Sequence, residues 1–299
     1  MINRIGYACI NTSIDSNFKD CRLASVYKNG SSFLKEIILH NLKLTSDTLI
    51  WNINNNILMY RVTSKLIPFA THKDVLKSIH YNWYEDIDIL NALNDIKKIV
   101  IENNVRLSMH PDQFTVLNSN RNDVVEKAII NLEYHKFLLE KLGGTDLIIH
   151  TGGVYGNKTE AMRRFIETYN NLNHDIRKYL RLENDDVSYT LSDVISISKC
   201  CGIPIVLDIH HYNCNNIESE NLNDLIYDVN KSWILSGIIP KCHISSGIDN
   251  YKDRRHADYI SPSDFFSFYD ITKEINLDLM VEAKAKELAV LKLKNLINI

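Results

Sequence analysis

Short apolar runs alternate with longer amphipathic stretches along the whole chain. Eight runs read as strands: RIGYACI (4–10), ILMYRVT (57–63), VRLSMH (105–110), DLIIHTG (146–152), YLRLEN (179–184), PIVLDIHH (204–211), KCHISSG (241–247) and DLMVEAK (278–284). Each is brief and largely apolar, the pattern of a strand covered on both faces. Between them apolar positions recur with a helical period. SFLKEIILHNLKLTSDTLIWNI follows the first strand, and IDILNALNDIKKIVIENN precedes the third. NDVVEKAIINLEYHKFLLEKLGG precedes the fourth and stops on Gly143-Gly144, a good helix terminus. Strands alternating with helices imply parallel pairing, and eight such units predict a (β/α)8 TIM barrel spanning residues 1–299 as one domain. A doubly wound open sheet is the alternative, but it would more often show a glycine-rich first turn. GGVYGNKT (152–159) superficially resembles a phosphate loop, with the wrong spacing before Lys158.

The chain's 299 residues suit a barrel of this class, which typically takes about 250. It is 45% hydrophobic and 24% charged, as soluble globular proteins are. The net charge of −3 argues neither for nor against nucleic acid, because phosphate binding needs a local basic surface. The six cysteines form no C-x-x-C and read as reduced thiols. No apolar run is long enough to span a membrane, and no targeting segment is visible. The expected location is therefore the cytoplasm or nucleus.

The strand ends carry the chemistry. His72 follows strand two, strand three ends on His110, and strand four on His150. Strand five ends on Glu183, and strand six on Asp208 with His210 and His211. Strand seven carries Lys241 and His243, strand eight Glu282 and Lys284, and His256 lies in the loop after strand seven. Taken singly, a buried histidine is usually a satisfied core residue and a strand-end carboxylate a helix cap. Taken jointly, seven strands place ionisable groups at the barrel end where active sites form. Left unpaired there, such groups would be costly, and metal ions would satisfy them. Imidazole and carboxylate without thiolate suit Mn²⁺, Zn²⁺ or Fe²⁺. Nine candidate ligands exceed what one ion of about four to six ligands needs, so two or three ions are expected. His40, His80, His135 and His174 lie on helical or loop stretches and read as structural. Clustered metals suit phosphodiester hydrolysis, although sugar isomerases on barrels also use paired metals.

At these residues the chain resembles the UV damage endonucleases. The matching segments run in order from RIGYACIN through RVTSKLIPFATH, RLSMHPDQF, LIIHTGGVYGNK, RLENDD, VLDIHH, PKCHISSG and HADYI to MVEAKAKE. The resemblance implies a xylose-isomerase-like barrel of the kind shared with endonuclease-IV-type enzymes. It implies three divalent ions, usually manganese, held by His72, His110, His150, Glu183, Asp208, His211, His243, His256 and Glu282. Glu183 would bridge two ions and, with Glu282 and Lys241, serve catalysis. Lys241 matches a family lysine that can be carboxylated, which requires a neutral amine. Strand alternation leaves open which of His210 and His211 faces the centre.

The same resemblance makes Gln113-Phe114 a wedge that enters duplex DNA opposite a lesion, with Phe114 where relatives usually carry Tyr. Pro111 would rigidify that turn. Tyr7 and Asn11 would line the pocket for a flipped photoproduct. Arg254 and Arg255, with Lys252 beside them, precede His256 and are candidates for gripping phosphate, as are Lys158 and Lys284. The implied activity is nicking of duplex DNA immediately 5′ to UV photoproducts, leaving a 3′-hydroxyl and a 5′-phosphate. The implied partner is lesion-bearing double-stranded DNA, with no membrane and no obligate protein partner. The alternatives are an abasic-site endonuclease, a metal-dependent sugar isomerase or epimerase, and a lesion-binding protein without cleavage.

Overall fold

The computed structural model describes residues 1–15, 17–217 and 219–297. Its strands are β1 (Ile2–Ala8), β2 (Met59–Val62), β3 (Arg106–Met109), β4 (Asp146–His150), β5 (Leu180–Glu183), β6 (Ile205–Asp208), β7 (Lys241–Ile244) and β8 (Leu277–Val281). Each strand pairs in parallel with the next, and β8 pairs with β1 to close the barrel. Closure leaves no strand edge exposed. The expected (β/α)8 barrel is therefore the observed fold, with all eight strands in their expected places.

Each strand is followed by one or two helices: α1 (Leu23–Asn54), α2 (Lys73–Ser78), α3 (Ile87–Glu102), α4 (Asn122–Leu142), α5 (Lys158–Asn171), α6 (His174–Arg177), α7 (Leu191–Cys201), α8 (Ile209–Cys214), α9 (Leu222–Ser232), α10 (Pro262–Thr272) and α11 (Lys286–Ile297). Local sequence explains their limits. Asp86 caps α3 by accepting from the Asp88 and Ile89 amides, and Ile89, Leu93, Ile96 and Val100 form its buried stripe. Thr190 and Asp193 form a reciprocal capping box on α7. Gly143 ends α4 with φ 74°, as its sequence suggests. Among the described residues, no helix is long and apolar enough to cross a membrane.

Strand six is shorter than its apolar pattern. It stops at Asp208, whose carboxylate accepts from the His211 amide and starts α8. His210 and His211 are thus helical, and strand alternation does not govern where they point.

The amino-terminal end of the barrel interior is charged. Asp146 accepts from Arg106 at 2.7 and 3.1 Å and from Arg181 at 3.0 Å. Asp278 pairs with Arg106 at 2.8 Å and Arg4 at 3.1 Å. The Trp233 ring lies against both buried guanidiniums, with centroid distances of 5.4 and 5.1 Å. Lys241 belongs to this cluster, its ammonium 3.2 Å from Asp146 Oδ2. Burial pushes the Lys241 amine down to about 8, with Asp146 opposing the shift. Burial alone would raise Asp146, but Arg106, Lys241 and Arg181 hold it well below the usual carboxylate range.

Candidate metal centre

Six ionisable side chains converge at the carboxyl ends of the strands. Glu183, the last residue of β5, is at the middle. Its Oε2 lies 3.3 Å from His110 Nε2 and 3.5 Å from His150 Nε2. Its Oε1 lies 2.7 Å from His243 Nδ1, which is also 3.2 Å from Glu282 Oε1. Two potential ligand groups result: His110, His150 and Glu183, and then Glu183, Asp208, His243 and Glu282. Glu183 belongs to both. Burial would raise its pKa, yet the surrounding His243, His150 and His110 hold it well below the ordinary carboxylate value.

The donors fit a divalent cation. They are carboxylates and imidazoles without thiolate. Asp208 Oδ2 and His243 Nε2 are buried without a hydrogen-bond partner among the described residues. Three imidazoles place Nδ1 against a backbone carbonyl: His110 against Pro111 at 2.8 Å, His211 against Asn184 at 2.9 Å, and His256 against Glu282 at 2.6 Å. Such a contact fixes the ring and leaves Nε2 as the ligand atom, the usual arrangement for a metal-binding histidine. His211 stands 3.9 Å from both Glu183 Oε1 and Asp208 Oδ2. Burial would lower its imidazole, but Asp208, Glu183 and Glu282 raise it to about 9.

Two further residues shape this centre and were not apparent from sequence. Arg61, near the end of β2, forms an ion pair with Glu282. Asn184 joins β5 to β6, accepting from the Asp208 amide at 2.9 Å and donating to the Asp208 carbonyl at 3.0 Å. It thereby sets Asp208 opposite Glu183. An arginine inside a strand and an asparagine after it carry no distinctive spacing.

Other expected residues lie elsewhere. His72 is exposed at the start of α2 and joins neither ligand group. Lys241 shares an inward face with His243 but is two residues nearer the strand start, where it meets Asp146 rather than the centre. His211, not His210, faces Glu183; His210 turns toward Cys214, 3.8 Å away. His40 and His135 contact the carbonyls of Asn17 and Asn131.

Tyr7 and Asn11 are both 0% exposed. Tyr7 donates to Asn52 Oδ1 at 2.7 Å and accepts from Asn11 at 2.8 Å. In this conformation they offer no surface to a flipped base. The Lys158 ammonium is 2.6 Å from Asp193. Arg254 contacts Asp186 at 3.5 Å, and Arg255 braces its own loop through Asp253 at 2.6 Å and Asp249. These three cations would have to exchange partners to grip phosphate.

Gln113 and Phe114 project from the loop after β3, both exposed, with Phe114 at 76%. Their turn is pinned, since Asp112 Oδ1 accepts from the Phe114 amide at 2.9 Å and the Asp112 carbonyl from the Thr115 amide at 3.0 Å. Pro111 beneath it is buried. Beside this turn a groove of about 750 Å³ runs over His110 and His150, with Tyr155 and Val187 on the loops after β4 and β5.

The family model described as UV-endonuclease UvdE matches residues 3–299. A UV DNA damage endonuclease of Bacillus mycoides (strain KBAB4) is 38% identical over 266 residues, covering 87% of this chain and 81% of that protein. The crystal structure of SacUVDE superposes with a TM-score of 0.87 at 33% identity, covering 99% of both chains. Endonuclease IV from Thermus thermophilus shares the fold, with a TM-score of 0.59 at 12% identity, covering 85% of this chain and 93% of that one.

Proposed function

Because this chain belongs to the UV-endonuclease UvdE family, we propose that it nicks duplex DNA immediately 5′ to UV photoproducts. Cyclobutane pyrimidine dimers, 6-4 photoproducts and other distorting lesions are its substrates. A DNA substrate puts this activity in the cytoplasm, nucleoid or nucleus. The observation that carries the reading is Glu183, one buried carboxylate common to two adjoining ligand groups. That arrangement supports a multi-ion phosphodiesterase, in which bound divalent cations would supply Lewis-acid activation of water and neutralise phosphate charge.

Glu183 with His110 and His150 would hold one ion, and Glu183 with Asp208, His243 and Glu282 a second. His211 and His256 stand beside these groups and would serve as ligands for a third. Manganese is the expected metal, and zinc is compatible with the same donors.

The chain's own residues do the remaining work. The backbone carbonyls of Pro111, Asn184 and Glu282 orient three imidazoles before substrate arrives. Asn184 fixes Asp208, and Arg61 holds Glu282 ionised. Gln113 and Phe114, on their pinned turn, enter the duplex at the lesion, where damaged bases are already poorly stacked. Lys158, Arg254 and Arg255 steer the backbone once released from their carboxylates. The attacking water oxygen bonds to phosphorus and the bond to the 3′ oxygen breaks. The proton that the water gives up is taken by that oxygen, leaving a 3′-hydroxyl and, on the lesion side, a 5′-phosphate.

The test is a duplex with one thymine dimer, end-labelled and incubated with protein and Mn²⁺. Cleavage at the phosphodiester 5′ to the dimer, with ligatable 3′-hydroxyl ends, is expected. Cleavage only of an abasic duplex would replace this reading with an abasic-site enzyme. Inertness to both, with turnover of sugars, would replace it with an isomerase.

A further inference from the structure

Tyr155 sits in the loop after β4, in a turn closed by the Asn157 amide donating to the Val154 carbonyl at 3.0 Å. Its φ is 49°, in the left-handed region, which is strained for a bulky side chain. The residue is 41% exposed, and its hydroxyl makes no hydrogen bond among the described residues.

The surroundings instead hold the ring in place. Gly152 has φ 110°, and a Cβ there would fall 2.3 Å from Asn118 Oδ1, so only glycine fits. A Cβ on Gly153 would lie 3.2 Å from two carbons of the Tyr155 ring, which therefore rests directly on that backbone. The Gly153 carbonyl is itself fixed, accepting from Asn118 at 2.7 Å and from the Tyr189 hydroxyl at 2.9 Å. The Arg164 guanidinium carbon is 5.5 Å from the ring centroid, and its Nε donates to the Asn118 carbonyl at 2.9 Å. Tyr155 is thus a rigid aromatic surface on one side of the groove, with the Gln113–Phe114 turn on another and His110 and His150 in the lining.

The lining selects what can enter. The lining mixes carboxylates (Asp112, Asp185 and Asp186) with the cations Arg121 and Lys127; Arg121 is tied to Asp123 at 2.6 Å, and Asp186 faces Arg254 at 3.5 Å. An uncharged flat ring fits this groove, while the sugar-phosphate chain stays with the ligand cluster. The base adjoining the scissile phosphate is the damaged pyrimidine. The geometry points to Tyr155 as the platform on which the extruded lesion pyrimidine stacks, a subsite separate from the buried Tyr7 and Asn11. This assignment rests on the lesion-endonuclease reading.

Two variants test it. Tyr155→Asn removes the ring but keeps a residue that tolerates the left-handed backbone; Tyr155→Trp keeps an aromatic face. Binding is measured by fluorescence anisotropy of a fluorescein-labelled duplex carrying one thymine dimer, against the undamaged duplex, with EDTA present to prevent cutting. Tyr155→Asn should bind the dimer duplex about 5- to 150-fold more weakly, the range for one lost base–aromatic stack. Its affinity for undamaged duplex should not change, and Tyr155→Trp should bind as wild type does. Unchanged dimer binding by Tyr155→Asn, or an equal loss on both duplexes, overturns the assignment while leaving the lesion reading intact. A wild-type protein without preference for the dimer overturns the lesion reading and the assignment with it.

Discussion

Asp146→Asn should be among the most damaging single substitutions in this protein, although it lies away from the candidate centre. Asp146 is fully buried and faces Arg106, Arg181 and Lys241 at 2.7 to 3.2 Å. The cluster holds four cationic residues, Arg4, Arg106, Arg181 and Lys241, against two carboxylates, Asp146 and Asp278. Removing one carboxylate leaves three buried cations facing an amide. Breaking one buried pair costs about 3–5 kcal/mol, and this change should reach the upper end. Against a total stability of about 5–15 kcal/mol, that is a large fraction. Urea unfolding followed by circular dichroism measures it. Adding Lys241→Met should recover part of the loss by removing one orphaned cation. The pH dependence follows from the low folded pKa of Asp146. The folded value lies below the unfolded one, so the stabilisation is fully present above the unfolded value, about 3.9, and is lost as pH falls through the folded one. The gap between wild type and Asp146→Asn should therefore close progressively below about pH 4. A loss under about 1 kcal/mol at neutral pH would refute the claim that Asp146 balances this layer.

Glu183→Gln should reduce cleavage by more than the ~100-fold typical of losing an outer partner, and lower the bound metal measured by mass spectrometry. Lesion binding by this variant should remain measurable, and full activity would rule out the shared-ligand role. Arg61→Met should destabilise the protein by about 1–3 kcal/mol in EDTA, because Glu282 loses a partly buried charged partner, and by less with Mn²⁺ present. Equal losses in both solutions would show that metal and Arg61 do not share Glu282. Phe114→Ala should weaken binding to dimer-bearing duplex by about 1–3 kcal/mol in an anisotropy titration, whereas Phe114→Tyr should not.

Much of the architecture was legible because hydrophobic period and turn residues act locally. Eight buried runs, each followed by an amphipathic stretch, can close only a few ways, and Gly143 marks its helix end by conformational need. Strand-end residues such as His110, His150 and Glu183 were legible for the same reason, since the carboxyl end of a barrel strand is a defined place. Depth along a strand was not. Lys241 and His243 share a face, and no sequence pattern says that one meets Asp146 while the other meets Glu183. His211 escaped the strand pattern because the Asp208 side chain starts a helix there. Tyr7 and Asn11 were expected to line a lesion pocket, yet their hydrogen bonds with Asn52 and each other bury them, a tertiary fact. Arg61 was invisible because its importance comes from Glu282, distant in sequence.

The most direct measurement is nicking of supercoiled plasmid by purified protein with Mn²⁺, comparing UV-irradiated, untreated and depurinated DNA, with Glu183→Gln alongside wild type. Conversion of the irradiated plasmid alone to open circle, by wild type and not by Glu183→Gln, is the predicted result. Equal nicking of irradiated and untreated plasmid, or nicking by Glu183→Gln at the wild-type rate, would contradict it.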